Sequence, residues 1–122
     1  TVPKLQSMPA RRDFLHARDQ GQKALARGLV IQATMNDLDI WRLGLTASRK
    51  IGNAVCRNGA RRRMRALARQ HLAKFARPGV DYVLIARHNT LSCDWQDLVI
   101  GLTKAIRYLH HKLQDQYPVS SI

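Results

Sequence analysis

The chain has 122 residues, about one domain's length, enough for a single modest core and too short for two independent ones. Its formal charge of +13 comes from 21 Lys and Arg against 8 acidic residues, all of them Asp. Such an excess repels itself in the compact state until a polyanion neutralises it. No apolar run approaches the roughly 20 residues of a membrane-spanning helix, and the opening TVPKLQSMPARRDF lacks the apolar centre of a secretory signal; the expectation is a cytoplasmic protein that meets nucleic acid and no membrane.

Taken in chain order, Leu5, Arg11, Arg12, Phe14, Leu15 and Arg18 precede Gly21 with a spacing that predicts a short amphipathic helix from about Arg11 to Gln20. GLVIQAT (Gly28 to Thr34) and WRLGLTA (Trp41 to Ala47) are apolar runs separated by the turn formers Asn36, Asp37 and Asp39. In the second run Trp41, Leu43 and Leu45 alternate with Arg42, Gly44 and Thr46, as in a strand with one buried face. The two runs are expected to pair as an antiparallel hairpin.

From about Asn53 to Ala76 the period changes, and Met64, Leu67, Ala68, Leu72 and Phe75 fall within one sector of a helix that stops before Pro78 and Gly79. VDYVLIAR (Val80 to Arg87) then has the length and composition of a buried strand. Ser92 is expected to cap a last helix, with Asp94 in its first turn and Trp95, Leu98, Leu102, Ala105, Ile106, Leu109 and Leu113 as its apolar stripe. The order α, β, β, α, β, α implies an α+β sandwich with a βαβ crossover where the flanking strands pair. One domain spans 1–122, with an ordered core of about 5–113 and a flexible tail over 114–122.

Between Ala47 and Arg77, basic residues stand at positions 49, 50, 57, 61, 62, 63, 65, 69, 74 and 77 without one acidic residue. A solvated face kept for solubility ordinarily mixes both signs, so this block reads as an anion-binding surface, and sulfate or phosphate should bind the free protein. Asn58, Arg62, Arg65 and Arg69 follow at helical spacing on one face. Like charges stacked in this way destabilise an isolated helix and make sense with phosphates between them. Guanidinium groups can grip two phosphate oxygens or stack on a base, while Asn53 and Asn58 can address a sugar hydroxyl or base edge.

Catalytic constellations are poor. Asp37 with Asp39 sits in a turn and Asp94 with Asp97 at a helix start, where carboxylates suit the dipole. The histidines at 16, 71, 88, 110 and 111 have no metal-binding spacing. Cys56 and Cys93 lack a CxxC partner and read as reduced, partly buried thiols. The glycine-lysine spacing of a nucleotide-binding loop is missing around Lys50 and Gly52. No catalytic or metal-binding residue is assigned.

The stretch SRKIGNAVCRNGARRRMR resembles the bacterial ribonuclease P protein subunit, whose signature is SxKxGNAVxRNxxKRxxRE. Ser48, Lys50, Gly52, Asn53, Ala54, Val55, Arg57, Asn58, Arg62 and Arg65 match it. Arg12, Asp13 and Phe14, Leu43 to Leu45, and Asp81 to Arg87 resemble further family elements, so the likeness spans about Leu5 to Leu109. The resemblance implies the order αβββαβα on a four-stranded sheet, one strand more than the residue pattern gives, with a left-handed βαβ crossover.

It also implies that an RNA subunit performs phosphodiester hydrolysis with Mg2+ bound mainly by RNA, while the protein holds that RNA and the 5′ leader of precursor tRNA. Arg49, Lys50, Asn53, Arg57, Asn58, Arg61, Arg62, Arg65 and Arg69 would then face the catalytic RNA. Arg11, Arg12, Phe14, Arg18, Gln32 and Arg87 would line the leader cleft, where Phe14 can stack on a base and also anchor its helix. Four positions depart from the pattern: Arg18 and Gln32 replace expected rings, Gly59 a basic residue and Ala66 an acidic one. Gly59 costs the helix about 1 kcal/mol. The alternative is a non-enzymatic RNA-binding module of ribosomal or chaperone type, which the basic face alone would support.

Overall fold

The computed structural model describes residues 7–8 and 11–116; the expectations for Leu5 and for the tail after 116 lie outside the described residues. The elements run α1 (Arg11–Gln20), β1 (Gln22–Ala26), β2 (Leu29–Met35), β3 (Arg42–Thr46), a 3-10 turn (Arg49–Ile51), α2 (Ala54–Leu67), a π-helical turn (Ala68–Leu72), α3 (Ala73–Phe75), β4 (Val80–Ala86) and α4 (Trp95–Gln116). The fold is α+β, with one mixed sheet in the order β1-β2-β4-β3. The last helix continues three residues past position 113, into the segment expected to be flexible.

The expected hairpin between Gly28–Thr34 and Trp41–Ala47 does not form. β4 lies between those strands, antiparallel to β2 and parallel to β3, so that β3, α2 and β4 make the crossover. A run as continuously apolar as VDYVLIA belongs in the centre of a sheet with both faces covered, and all but one of its residues are buried. The hairpin partner of β2 is β1, joined through Arg27 and Gly28. Its sequence, QKALA, has no β-branched or aromatic residue, so propensity gives no sign of a strand. The additional strand implied by the resemblance therefore precedes the first apolar run.

Alternation divides the sheet into two faces. Leu29, Ile31 and Ala33 of β2, with Tyr82, Leu84 and Ala86 of β4, pack against Met64, Leu67 and Leu72 and against Leu98, Leu102, Ile106, Leu109 and Leu113 of α4. Val83 and Ile85 turn to the opposite face, where Phe14 and Ala17 of α1 and Met8 meet them. A small second core thus holds α1 on the sheet.

The helical period places Phe75 on the core stripe, but it is 42% exposed. The π-helical turn explains this: the Ala73 N–H bonds to the Ala68 carbonyl, five residues back. A wider turn shifts the phase of the residues after it, and Ala76 packs against the core in place of Phe75. The α4 cap is corrected as well. Asp94 accepts from the Gln96 N–H at 2.8 Å, while the Ser92 hydroxyl donates to the Asn89 carbonyl at 3.5 Å.

Candidate nucleic-acid interface

The basic block enters its helix through a turn that the backbone dictates. Gly52 has φ 142°, a conformation that side chains disfavour, and it delivers Asn53 to the N-cap of α2, where its Oδ1 accepts the Cys56 N–H at 3.0 Å. Asn53, expected to contact RNA, thus has a helix-starting role that occupies its carbonyl oxygen. Arg49 and Lys50, on the preceding 3-10 turn, are exposed.

Along α2, Asn58, Arg62, Arg65 and Arg69 are all exposed, and Arg57 and Arg61 half-buried. Among the described residues, none of these α2 arginines forms an ion pair with a carboxylate. Arg61 also reaches Asn58, its Nη1 donating to the Asn58 Oδ1 at 3.5 Å. Arg61, Arg65 and Arg69 line a groove of about 330 Å³ with Phe14, Leu43, Gly44 and Leu45, whereas Asn58 and Arg62 lie outside it.

Arg63 has a different task. It donates to the carbonyls of Thr90 at 2.7 Å and Leu91 at 2.9 Å, and its guanidinium lies 5.7 Å from the centre of the Trp95 ring, which ties α2 to the loop before α4. The same loop lies beside Gly59: a Cβ there would come within 3.2 Å of the Leu91 side chain.

A second concavity, of about 220 Å³, lies between α1 and the sheet, lined by Arg11, Phe14, Leu15, Arg18, Gln32, Thr46, Val83 and Ile85. Four of the six residues expected at the leader cleft meet there. Arg12 is exposed on α1 but does not line it, and Arg87 is half-buried one residue beyond β4, its N–H bonded to the Thr90 hydroxyl at 2.7 Å. Arg18 also pairs with Asp19 at 3.1 Å. Gln32, on the floor, is only 5% exposed.

Phe14 borders both concavities. It can lie against β3 because Gly44 has no side chain: a Cβ there would fall 2.6 Å from a Phe14 ring carbon and 2.9 Å from the Met8 sulfur. A glycine inside a strand is the sign of such close approach, a role that the alternation of the strand does not reveal for Gly44.

α1 is fixed beside the cleft by buried charge. Arg42 grips Asp81 through two bonds of 2.8 and 2.6 Å and reaches Asp13 of α1 at 3.4 Å. The Asn36 amide adds a 2.8 Å bond to Asp81. The hydrogen bond and charge of Asp81 raise the Arg42 pKa against the opposing effect of burial. Asp13 and Asp81 are therefore occupied by a guanidinium, as Asp19 is by Arg18, and no group of three or more His, Cys, Asp or Glu among the described residues could hold a metal ion.

On the core face, His110 Nε2 lies 2.6 Å from the Tyr82 hydroxyl, which accepts the Arg77 N–H at 3.0 Å. The tyrosine hydroxyl keeps its own hydrogen to donate and can give it to a neutral imidazole. Burial, with the charge of Arg77, lowers the His110 pKa to about 4, and burial raises that of Tyr82 to about 12. The pair belongs to the core, and its spacing in sequence gives no warning of it. Cys56 and Cys93 are half-buried free thiols, as expected. No helix among the described residues is long and apolar enough to cross a membrane.

Comparison with known proteins gives the family and the fold. The family model for Ribonuclease P matches residues 2–110. The ribonuclease P protein component of Paramagnetospirillum magneticum is 38% identical over 109 residues, covering 85% of this chain and 82% of that protein. That of Ruegeria pomeroyi is 44% identical over 107 residues, covering 82% of each. Among solved structures, the Staphylococcus aureus RNase P protein superimposes with a TM-score of 0.70 at 25% identity, covering 86% of this chain and 95% of that one. The Thermotoga maritima protein gives 0.71 at 26% identity, covering 84% and 96%.

Proposed function

The chain belongs to the ribonuclease P protein family, and from that premise we propose that it binds both the catalytic RNA and the 5′ leader of precursor tRNA, assisting endonucleolytic release of the leader. Membership makes it a protein component of ribonuclease P, which acts in tRNA 5′ processing with an RNA subunit. The observation that carries the finer reading is the juxtaposition of two surfaces. Arginines without carboxylate partners among the described residues line α2, and Phe14 borders a cleft beside them that is edged by Arg11 and Arg18.

The chemistry is assigned to the RNA subunit, with Mg2+ held mainly by RNA. The described carboxylates near the cleft do not fit a metal site, since Arg42 occupies Asp13 and Asp81 and Arg18 pairs with Asp19. Its contribution is to neutralise phosphates and to position the substrate. A strand in the cleft can stack on Phe14 and place its phosphates beside Arg11 and Arg18, with Gln32 offering hydrogen bonds where a ring would otherwise stack.

The test is reconstitution. Added to a bacterial ribonuclease P RNA, the protein should restore cleavage of precursor tRNA at a Mg2+ concentration too low for the RNA alone, and the complex should prefer precursor over mature tRNA. Tight binding to that RNA with neither rescue nor preference would sink the assignment and favour a general RNA-binding module.

A further inference from the structure

The two edges of the sheet are unlike. β3 is bordered by the chain itself: Ser7 forms a parallel bridge to Leu43, and the Met8 N–H bonds to the Leu43 carbonyl at 3.1 Å. β1 ends the strand order, with β2 as its one neighbour among the described residues. The turn at Arg27 and Gly28 makes Ala26 and Leu29 a hydrogen-bonded pair. Alternation along the ladder then turns the main-chain groups of Lys23 and Leu25 away from β2. An edge of this kind is a template for another strand.

A groove of about 470 Å³ follows that edge between β1 and α4, with Lys23, Leu25, Lys104 and Tyr108 in its lining. Gly101 lets the helix come down on the strand, since a Cβ there would fall 3.2 Å from the Arg27 nitrogen and 3.3 Å from the Ala26 Cβ. The lining is both apolar and positive. Leu25 is 71% exposed and Tyr108 50%. Lys23 and Lys104 are exposed and have no carboxylate partner among the described residues, whereas Arg27 is spent on Asp97 at 3.0 Å.

We propose that this edge takes an extended, acidic segment of a partner protein as a fifth strand, its carboxylates facing Lys104 in the groove and an apolar side chain lying against Leu25. Main-chain hydrogen bonds hold such a strand, and the pockets for alternate side chains select it. An apolar pair across the new ladder adds to the affinity.

Charge decides against a second copy of this chain. Each copy carries +13, and pairing one β1 with another would bring lysines together. A lysine on an edge strand guards against such self-pairing, and the same charge attracts an acidic strand, so repulsion and attraction work together. RNA fits less well. The Tyr108 ring already carries the Lys112 ammonium 5.6 Å from its centre, and outward main-chain groups at strand spacing have their match in another strand. The groove shares no lining residue with the two concavities at Phe14, so its occupation leaves those surfaces to RNA.

The experiment uses holoenzyme reconstituted from the full chain and a bacterial ribonuclease P RNA, so that RNA already covers α2. The probe is a capped peptide of about six residues, the usual length of a strand, alternating Glu with Thr and Val. Two further peptides are compared with it: one with every main-chain amide N-methylated, which keeps the charge and removes the donors, and one with Lys in place of Glu. Binding is followed by fluorescence anisotropy and by hydrogen exchange of the protein.

The acidic peptide should bind and slow exchange over 22–26, and N-methylation should weaken it roughly tenfold or more through lost main-chain hydrogen bonds. In Lys23→Glu/Lys104→Glu holoenzyme the preference should invert, with the acidic peptide roughly tenfold weaker and the Lys peptide bound in its place. An inverted preference cannot come from misfolding, and cleavage of precursor tRNA by this variant should match wild type. Equal binding of the N-methylated peptide would mean charge attraction without strand addition and would overturn the proposal. Exchange left unchanged over 22–26 would overturn it too. A uridine oligonucleotide that displaces the peptide and slows the same amides would make the edge an RNA surface and end the proposal.

Discussion

Arginine does opposite work in two regions of this molecule. Arg42 has a side chain 13% exposed and is enclosed by Asp81 and Asp13; the arginines of the Arg61 to Arg69 row border open space and have no carboxylate partner among the described residues. The first satisfies its charge within the fold, so removing it should damage the fold. The second leaves its charge to be satisfied by something else, so removing it should damage binding. The presence of a carboxylate partner is what separates a structural guanidinium from a ligand-binding one.

The strongest challenge to this contrast is Arg42→Ala. Asp81 would be left buried with only the Asn36 amide, and breaking one side of a buried pair typically costs about 3 to 5 kcal/mol. Urea unfolding should show that loss, while Arg42→Met with Asp81→Leu should recover much of it. A single-variant loss below about 1 kcal/mol would mean that the pair does not hold α1 and the sheet together.

Next in size is a pH effect from the core, where a buried group is held neutral. His110 titrates near 4 in the folded chain against an ordinary 6.5. In that interval the unfolded chain binds the extra proton, so the contribution is fully present above about pH 6.5 and is lost as pH falls toward 4. The expected loss is about 2 to 3 kcal/mol. Thermal or urea unfolding between those pH values should show the slope, and His110→Gln should flatten it. An equal slope in both proteins would place the acid sensitivity elsewhere.

How these regions relate to the sequence is uneven, and the reasons are physical. α1, the start of α2 near Asn53, β4 and the α4 stripe are local patterns of period and composition, and the structure follows them. β1 is invisible in the sequence because QKALA is held by its ladder to β2 and not by propensity. The false hairpin joins neighbours in sequence, whereas a central β4 separates β2 from β3, a non-local outcome. Phe75 is misplaced because periodicity assumes a constant turn, which the π-helical segment breaks.

The site shows the same division. The excess of arginine is legible as composition, and family resemblance carries four cleft residues to one place. That Arg61, Arg65 and Arg69 share a groove is not legible, because positions 58, 62, 65 and 69 satisfy a helical face on paper, while the groove is defined by β3 and Phe14 from elsewhere in the chain. Gly44 and Gly59 likewise take their meaning from partners that sequence does not place beside them, Phe14 and Leu91.

A smaller effect should come from anions. If the exposed arginines are satisfied by phosphates, sulfate should occupy the same surface in the free protein and stabilise it by linkage. At tenfold excess over its dissociation constant the gain is about 1.4 kcal/mol. Melting in sodium sulfate and sodium chloride of matched ionic strength should differ in favour of sulfate, and the difference should shrink in an Arg61→Ala/Arg65→Ala/Arg69→Ala variant. Equal melting in both salts would remove the evidence that this surface is a phosphate site.

The smallest effect on stability, and the sharpest complement to Arg42, is Lys50→Ala with Arg62→Ala. Both residues are exposed, so unfolding should change by no more than about 0.5 kcal/mol. Like-charge relief between Arg62 and Arg65, three residues apart on the helix, can even favour the variant. Binding should behave differently. Each neutralised phosphate contributes roughly 0.7 to 0.9 to the log-log dependence of affinity on salt, so losing two contacts should lower the slope for catalytic RNA by about 1.4 to 1.8. An unchanged slope with weaker binding would show that these residues shape the surface without neutralising phosphate. A lost slope with an intact fold would leave Arg42 and Arg62 on opposite sides of the division between folding and binding.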